Sequence, residues 1–555
     1  MQLALVKFSN LPAFSQLAWS RWTLYDKANL FSNKNVPMKD SRKTIADSLK
    51  RVAVASLLLC IGHVVLAADR PLTDEDIHWI NRVTYGLDST TLAQYRILGR
   101  KSFLEAQLTP PADALLAPAQ RAVDAMLITA KRADQLLADS EIESRRINAL
   151  PDGDEKAKAR QVQQDLQERT AFESAKRHLL RAVYSPAQLK EQMTWFWLNH
   201  FSVFRYKANL RWSVADYEER AIRPHSLGNF RQLLMATLKH PAMLVYLDNA
   251  QSATGKINEN YAREVLELHT MGVGSGYTQQ DVQELARILT GVGVNYGLVA
   301  SRVKPELQKL LIKDGAFEFN PARHDFGDKI FLGKTIAGSG LEEVEQAIDL
   351  MVQNPATARN ISRRLAIQFV SDSPPEALVD RMAQAFTRSK GDIPSVLRAM
   401  FNSREFTASL GTKFKDPMHF VVSALRLAYD PQTVAGKTFA NLKPATSMLN
   451  ALGESLYGRL TPDGYGLREV DWSSSGQMSK RFEIAKWIGS SNAGLFDPDD
   501  GTPAQVTGFP QLGSRLFFDN IEAGLSSATR GALAKASAQW EWNAYLLSSP
   551  EFMLH

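Results

Sequence analysis

The stretch NENYAREVLELHTMG runs from Asn258 to Gly272. At 100° per residue Asn260, Glu264 and Glu267 fall on one face, and His269 falls on the other among Ala262, Val265 and Leu266. A polar face opposite an apolar one at this period is an amphipathic helix. The same period recurs on both sides of the stretch. Upstream, Thr73 with Asp76 three residues on is suited to cap one helix, and Ser89 to start a second. Residues 112–184 are rich in Ala, Gln, Glu, Arg and Leu at helical spacing, broken by Pro151-Asp152-Gly153-Asp154, and read as a long antiparallel hairpin with a solvated charged face. Downstream, helical spacing returns in Val344 to Met351, Ala358 to Val370 and Ile393 to Phe401. The pattern breaks at residues 316–336, where Phe317 to Phe319 and Lys329 to Leu332 read as two short strands around a turn carrying His324, Asp325 and Gly327. The expected fold is mainly α, a large multi-helix domain with a long helical hairpin and a small β-hairpin near 316–336. Its expected parts are N-terminal helices over 68–111, the charged hairpin over 112–184, a helical core over 185–429, and a looser segment with closing helices over 430–555.

Composition narrows the function. A chain of 555 residues with 45% hydrophobic and 22% charged residues can bury a sizeable core and is not disordered. Its single cysteine, Cys60, excludes a disulfide framework, a cysteine zinc cluster and a thiolate iron-sulfur site. The uncharged run from Val52 to Leu66 follows Lys50 and Arg51 and precedes Ala67 and Ala68, the layout of a secretory signal peptide. The alternative is an uncleaved anchor, although the run is shorter than the roughly 20 residues a bilayer span needs. Counted from Met38, the leader has the usual length of about 15 to 30 residues. Residues 1–37 then read as an over-extended gene start, 38–67 as the signal peptide, and the product as exported, periplasmic or secreted. Nine of the 65 Lys and Arg and three of the 59 Asp and Glu lie in residues 1–67, so the remainder carries 56 of each sign. A balanced mature chain argues against nucleic acid as a partner.

Familiar motifs fail. Gly333-Lys334-Thr335 lacks a glycine at P-loop spacing, because Gly327 is one residue too far and strand intervenes. Asp325-Phe326-Gly327 has no accompanying kinase loops, and neither His-Glu-x-x-His nor Gly-x-Ser-x-Gly occurs. What remains is the 258–272 helix, His200 and the 323–329 loop. The candidate catalytic residues are Glu264, Glu267, His324 and Asp325: two glutamates one turn apart can divide acid and base roles, and a turn can aim His324 and Asp325 into a cleft. As a candidate metal set, His200, Glu267, His324 and Asp325 supply nitrogen and oxygen donors for a divalent ion such as Mg, Ca or Mn, or Zn or Fe through the two histidines. Each has a structural alternative. Arg263 and Glu267 at i, i+4 can simply pair, His269 reads as a core histidine, and Asp325 can cap its own turn by accepting backbone N–H groups. The aromatic cluster Trp195, Phe196, Trp197, Phe201, Phe204, Tyr206 and Trp212 reads as packing ahead of a sugar-stacking platform.

HPAMLVYLDNAQS (240–252), INENYAREVLELHTMGVGSGYTQQDVQELARILTG (257–291), FNPARHDFGDKIFLGKTI (319–336), TPDGYG and the later SSSGQMSKRFEIA together resemble the bacterial "domain of unknown function 1800" family over about residues 70–553. The resemblance implies an exported protein, often encoded beside a second exported family, and carries over no activity and no catalytic set. Two functions follow as expectations. One is an exported, metal-assisted hydrolase or related envelope enzyme at the polar cluster. The other is a non-catalytic envelope factor that binds a partner protein or a polysaccharide through the aromatic cluster and the 112–184 hairpin.

Overall fold

The computed structural model describes residues 72–111, 115–434, 441–490, 494–496 and 509–555. The leader expectations lie outside these residues. Arg70–His555 forms one compact unit.

Helices dominate, and several start where side chains dictate. Helix α1, Asp74–Val83, opens on a capping box in which the Thr73 hydroxyl accepts from the Asp76 N–H while Asp76 accepts from Thr73. Helix α2, Ser89–Leu108, is capped by Asp88 and kinks at Gly99, whose φ of 69° is not helical. Helices α3, Ala133–Ala149, and α4, Asp154–Tyr184, form an antiparallel hairpin turning at Leu150 to Gly153; it is shorter than the expected 112–184, because two short helices, Ala117–Asp124 and Leu127–Ala130, precede it. The Gln163 amide donates to the Ser140 carbonyl and the Ser144 hydroxyl, which sets its register. Only the first half of α4 is a solvated arm. From Thr170 onward it is buried, packing on the core that begins with α5, Gln188–His200.

Most of the core is one cluster running from Ile77 to Met553, and Leu136, Leu137 and Trp212 form a small second one. Of the aromatic run, Trp195, Phe196, Trp197, Phe201 and Trp212 are buried, so packing accounts for them, and Tyr206 is exposed. Beyond α6, Phe230–Lys239, lies the helix read from 258–272. It is α only over Glu259–Glu264, α7, and widens into a π turn over Val265–His269. Helix α8, Gln279–Ile288, follows on a Thr278/Asp281 capping box.

The strands differ from the expected hairpin. β1, Val292–Val294, β2, Ile312–Asp314, and β3, Phe317–Phe319, form an antiparallel sheet in the order β1-β3-β2, with Gly293 and Lys313 both opposite Glu318. β4, Lys329–Phe331, pairs instead with β5, Lys334–Ile336, across Leu332 and Gly333. Both turn residues have positive φ, 49° and 72°, as a two-residue hairpin turn of the primed kind requires. The Gly-Lys-Thr triplet is therefore a hairpin, and the two expected strands belong to different sheets. The helices that follow are α9, Leu341–Gln353; α10, Pro355–Phe369; α11, Glu376–Arg388; α12, Ile393–Phe401; α13, Pro417–Ala428; α14, Lys443–Ala451; α15, Ser475–Ser490; and α16, Gln539–Leu547, with a mostly irregular segment between α14 and α15. No helix among the described residues is long and apolar enough to cross a membrane.

Candidate functional site

The candidate residues separate into a structural group and an open one. His324 does not sit in an exposed turn. Its side chain is fully buried, with Nδ1 2.8 Å from the Thr290 carbonyl and Nε2 2.8 Å from Glu343 Oε1. Glu343 also accepts from Lys329 Nζ at 2.5 Å and from the N–H groups of Ser339 and Gly340 at 2.7 and 2.9 Å. Burial pushes the Glu343 carboxyl up, but the bonds from His324, Lys329 and Gly340 outweigh it and hold it below its ordinary value. Asp325 accepts from Arg287 Nε at 2.8 Å and Nη2 at 3.2 Å, and from Gly327 N–H at 2.9 Å. The Arg287 bond keeps its carboxyl low against partial burial. These two residues cap a turn and tie β4 to α8 and α9. No hydrogen bond or ion pair joins them to Glu264 or Glu267 among the described residues.

Nor does the metal set assemble. No group of three or more His, Cys, Asp or Glu among the described residues could hold a metal ion. The donors of His200, Glu267, His324 and Asp325 are directed elsewhere. His200 is buried with Nε2 3.1 Å from the His269 carbonyl, and Glu267 accepts from the Tyr277 hydroxyl at 2.6 Å with Arg263 3.6 Å away.

Glu264 is different. The π turn rotates the helix after residue 264 so that Val265, Leu266 and His269 are buried, leaving Glu264 and Glu267 half-buried at its edge. Such widened turns recur at functional sites, because the extra residue re-aims side chains. Tyr277, from the glycine-rich loop after the helix, donates to Glu267 and has its own hydroxyl pushed up to about 12 by burial and then by that carboxylate. Opposite stands the 461–466 loop, TPDGYG. It is anchored on the end of α5: Asn199 Nδ2 donates to the Tyr465 carbonyl at 3.0 Å, and Asn199 Oδ1 accepts from the Tyr465 N–H at 2.5 Å. Glycine is required at 464, where φ is 76° and a Cβ would stand 2.2 Å from the Asn199 carbonyl oxygen. Tyr246 ties the 240–252 segment to the same loop by donating to the Leu460 carbonyl at 2.8 Å.

Two carboxylates thus act on a third. Glu264 is raised above its ordinary value by burial first, then by the charges of Glu267 and Asp463, with Arg263 opposing. No hydrogen bond or ion pair engages its carboxyl among the described residues. Asp463 is lowered: burial raises it, but bonds from Arg459, 3.0 Å away, and Thr461 win. Behind them lies Arg364 of α10, whose Nε is buried without a hydrogen-bond partner and which forms no ion pair among the described residues. Its charge, added to burial, helps hold His269 down to about 3 and His200 well below its ordinary value, so both stay neutral. Asp463 could have been found inside the quoted TPDGYG. Arg364 left no signal, because it sits in an ordinary amphipathic helix.

A family described as "Protein of unknown function (DUF1800)" matches residues 78–554. No curated protein and no solved structure matches the chain.

Proposed function

The chain belongs to the DUF1800 family, and from that premise we propose that it is an exported hydrolase of the bacterial envelope in which Glu264 is the general acid and Asp463 the ionised carboxylate. The leader layout at 38–67 supports export. The observation that carries the enzyme reading is Glu264: half-buried, unpartnered and raised, under the charges of two other carboxylates. Two carboxyl groups whose surroundings push their proton affinities apart can divide acid and base work at one pH. Glu264 gives its proton to a leaving oxygen, Asp463 activates or replaces the attacking water, and Arg364 offsets developing negative charge. Glu267 positions the site by keeping Glu264 raised. Tyr277 and Tyr465, both partly exposed, give it an aromatic edge, which suits a glycan. Release of new reducing ends from purified envelope polysaccharide tests the reading. Glu264→Gln is expected to lose about 10²- to 10⁴-fold in rate with unchanged circular dichroism.

One observation favours the second reading. A cavity of about 750 Å³ lies between α4 and α14, lined by Glu168, Arg169, Phe172, Lys443 and Asn450. A non-catalytic envelope factor would use that face, and wild-type chain that binds polysaccharide without cleaving it would select this reading.

A further inference from the structure

Lys415 stands two residues before α13. Asp416 caps that helix by accepting from the His419 N–H at 2.6 Å, and Pro417 fills its first position. The Lys415 side chain runs back along the helix, so that Nζ lies 3.1 Å from Ser423 Oγ and 3.9 Å from the centre of the Phe552 ring. The residue is 3% exposed. The buried lysines Lys329 and Lys413 each face a carboxylate, Glu343 and Asp372. Lys415 forms no ion pair among the described residues. The direction of the hydrogen bonds matters here. Ser423 Oγ lies 3.1 Å from the Phe420 carbonyl, which can only accept, so the hydroxyl spends its one proton there and accepts from Lys415. The serine is therefore not the nucleophile. A neutral Lys415 amine, having donated one N–H, keeps its lone pair free.

The two groups that flank the amine, Ser423 and Phe552, line a cavity of about 80 Å³ together with Lys415 itself, the apolar Ile77, Leu87 and Leu427, and the polar Asp74, His78 and Glu551. At about 30 Å³ for each water-sized unit, it admits a ligand of about three non-hydrogen atoms. A desolvated amine that forms no ion pair, in a mainly apolar pocket, is the arrangement that activates lysine toward carbonyl compounds. We propose that Lys415 is the nucleophilic amine of a second site, which forms imines with small aldehydes or ketones. Nζ attacks the carbonyl carbon and the C–N bond forms. A proton leaves the nitrogen and reaches the former carbonyl oxygen, giving the neutral carbinolamine, while the Ser423 hydroxyl holds the amine in place by accepting from it. The carbinolamine then loses water to leave a C=N bond, and hydrolysis reverses the sequence. No oxidant or reductant is consumed. The site is separate from Glu264 and does not rest on the reading given for it.

Burial, and then the charge of Arg481 on α15, hold the Lys415 ammonium down to about 7. The other titratable groups around it are Asp74 and His78 of α1, His419 of α13, and Glu551 and His555 near the end of the chain. The experiment treats the purified full-length chain with acetaldehyde and cyanoborohydride across roughly pH 6 to 9, then maps the modified peptides. One ethyl group on Lys415 is expected, with a rate half-maximal near pH 7 and more than about tenfold above that of exposed Lys480 at that pH. Ser423→Ala should slow the labelling of Lys415 while leaving that of Lys480 unchanged. Labelling spread over exposed lysines with Lys415 untouched, or Lys415 labelled only in step with Lys480 as pH rises, would overturn the proposal. Because the wild-type map alone decides this, a Lys415→Met chain that failed to fold would not blunt the test.

Discussion

Removing the Glu343 side chain should cost more than removing most core methyl groups. Glu343 is buried, and four donors converge on it: His324 Nε2 at 2.8 Å, Lys329 Nζ at 2.5 Å, and the N–H groups of Ser339 and Gly340 at 2.7 and 2.9 Å. In Glu343→Ala the lysine charge stays buried without a counter-charge, and the first turn of α9 loses its cap. Breaking a buried pair from one side costs about 3 to 5 kcal/mol. Total stability is about 5 to 15 kcal/mol, so the loss is a large share of it. Glu405→Ala is the control: its partner Arg381 is 2.6 Å away but half exposed, and such pairs contribute about 0 to 1 kcal/mol. Urea titration read by the fluorescence of buried Trp79, Trp195 and Trp197 measures both variants. Because Glu343 is held below its ordinary value, its contribution is present above the unfolded value of about 4.3 and lost as pH falls through the folded one. Wild type should therefore lose stability below about pH 4 more steeply than the variant. A Glu343→Ala chain within about 1 kcal/mol of wild type would refute the network's role.

Gly464→Ala should cost about 2 to 5 kcal/mol, the sum of a left-handed backbone and a clash with the Asn199 carbonyl, and should displace Asp463 enough to abolish glycan cleavage; a urea midpoint near that of wild type would contradict it. His269 is held to about 3 in the fold by burial and Arg364, whereas an unfolded histidine titrates near 6.5, so stability should fall as pH drops from about 6.5 toward 3. His269→Phe should flatten that part of the thermal-stability profile. Lys415 is depressed to about 7, so its unfolded form binds the extra proton between there and about 10.4 and stability should rise with pH across that window; Lys415→Met should remove the rise.

Much of the fold could be read before the structure because it is written in local signals. The Thr73/Asp76 capping box, the start at Ser89 and the turn at 151–154 are side-chain chemistry within a few residues of the backbone they control. Strand pairing was less legible. β1 to β4 are each three residues long, but β3 and β4 carry phenylalanines whereas β1 is Val-Gly-Val and β2 the exposed Ile-Lys-Asp, so β3 shows no partner in the sequence other than β4. The burial of the 324–325 turn is hidden from the sequence for a related reason: nothing local shows that Glu343 and Thr290 close over His324. A helical wheel assumes 3.6 residues per turn, so the π turn after Glu264 could not be seen on it. Arg364 and Lys415 depend on what packs around them, and neither residue's neighbours in the chain reveal that.

The central claim is that Glu264 holds its proton more tightly than an ordinary glutamate because burial, Glu267 and Asp463 act on it together. Infrared difference spectra of the carboxylic C=O stretch through an acid titration, with Glu264→Gln identifying the band, measure this directly. A midpoint above the ordinary value of about 4.3, and a lower midpoint in Asp463→Asn, are expected. A Glu264 midpoint at or below about 4.3, unchanged by Asp463→Asn, would contradict it.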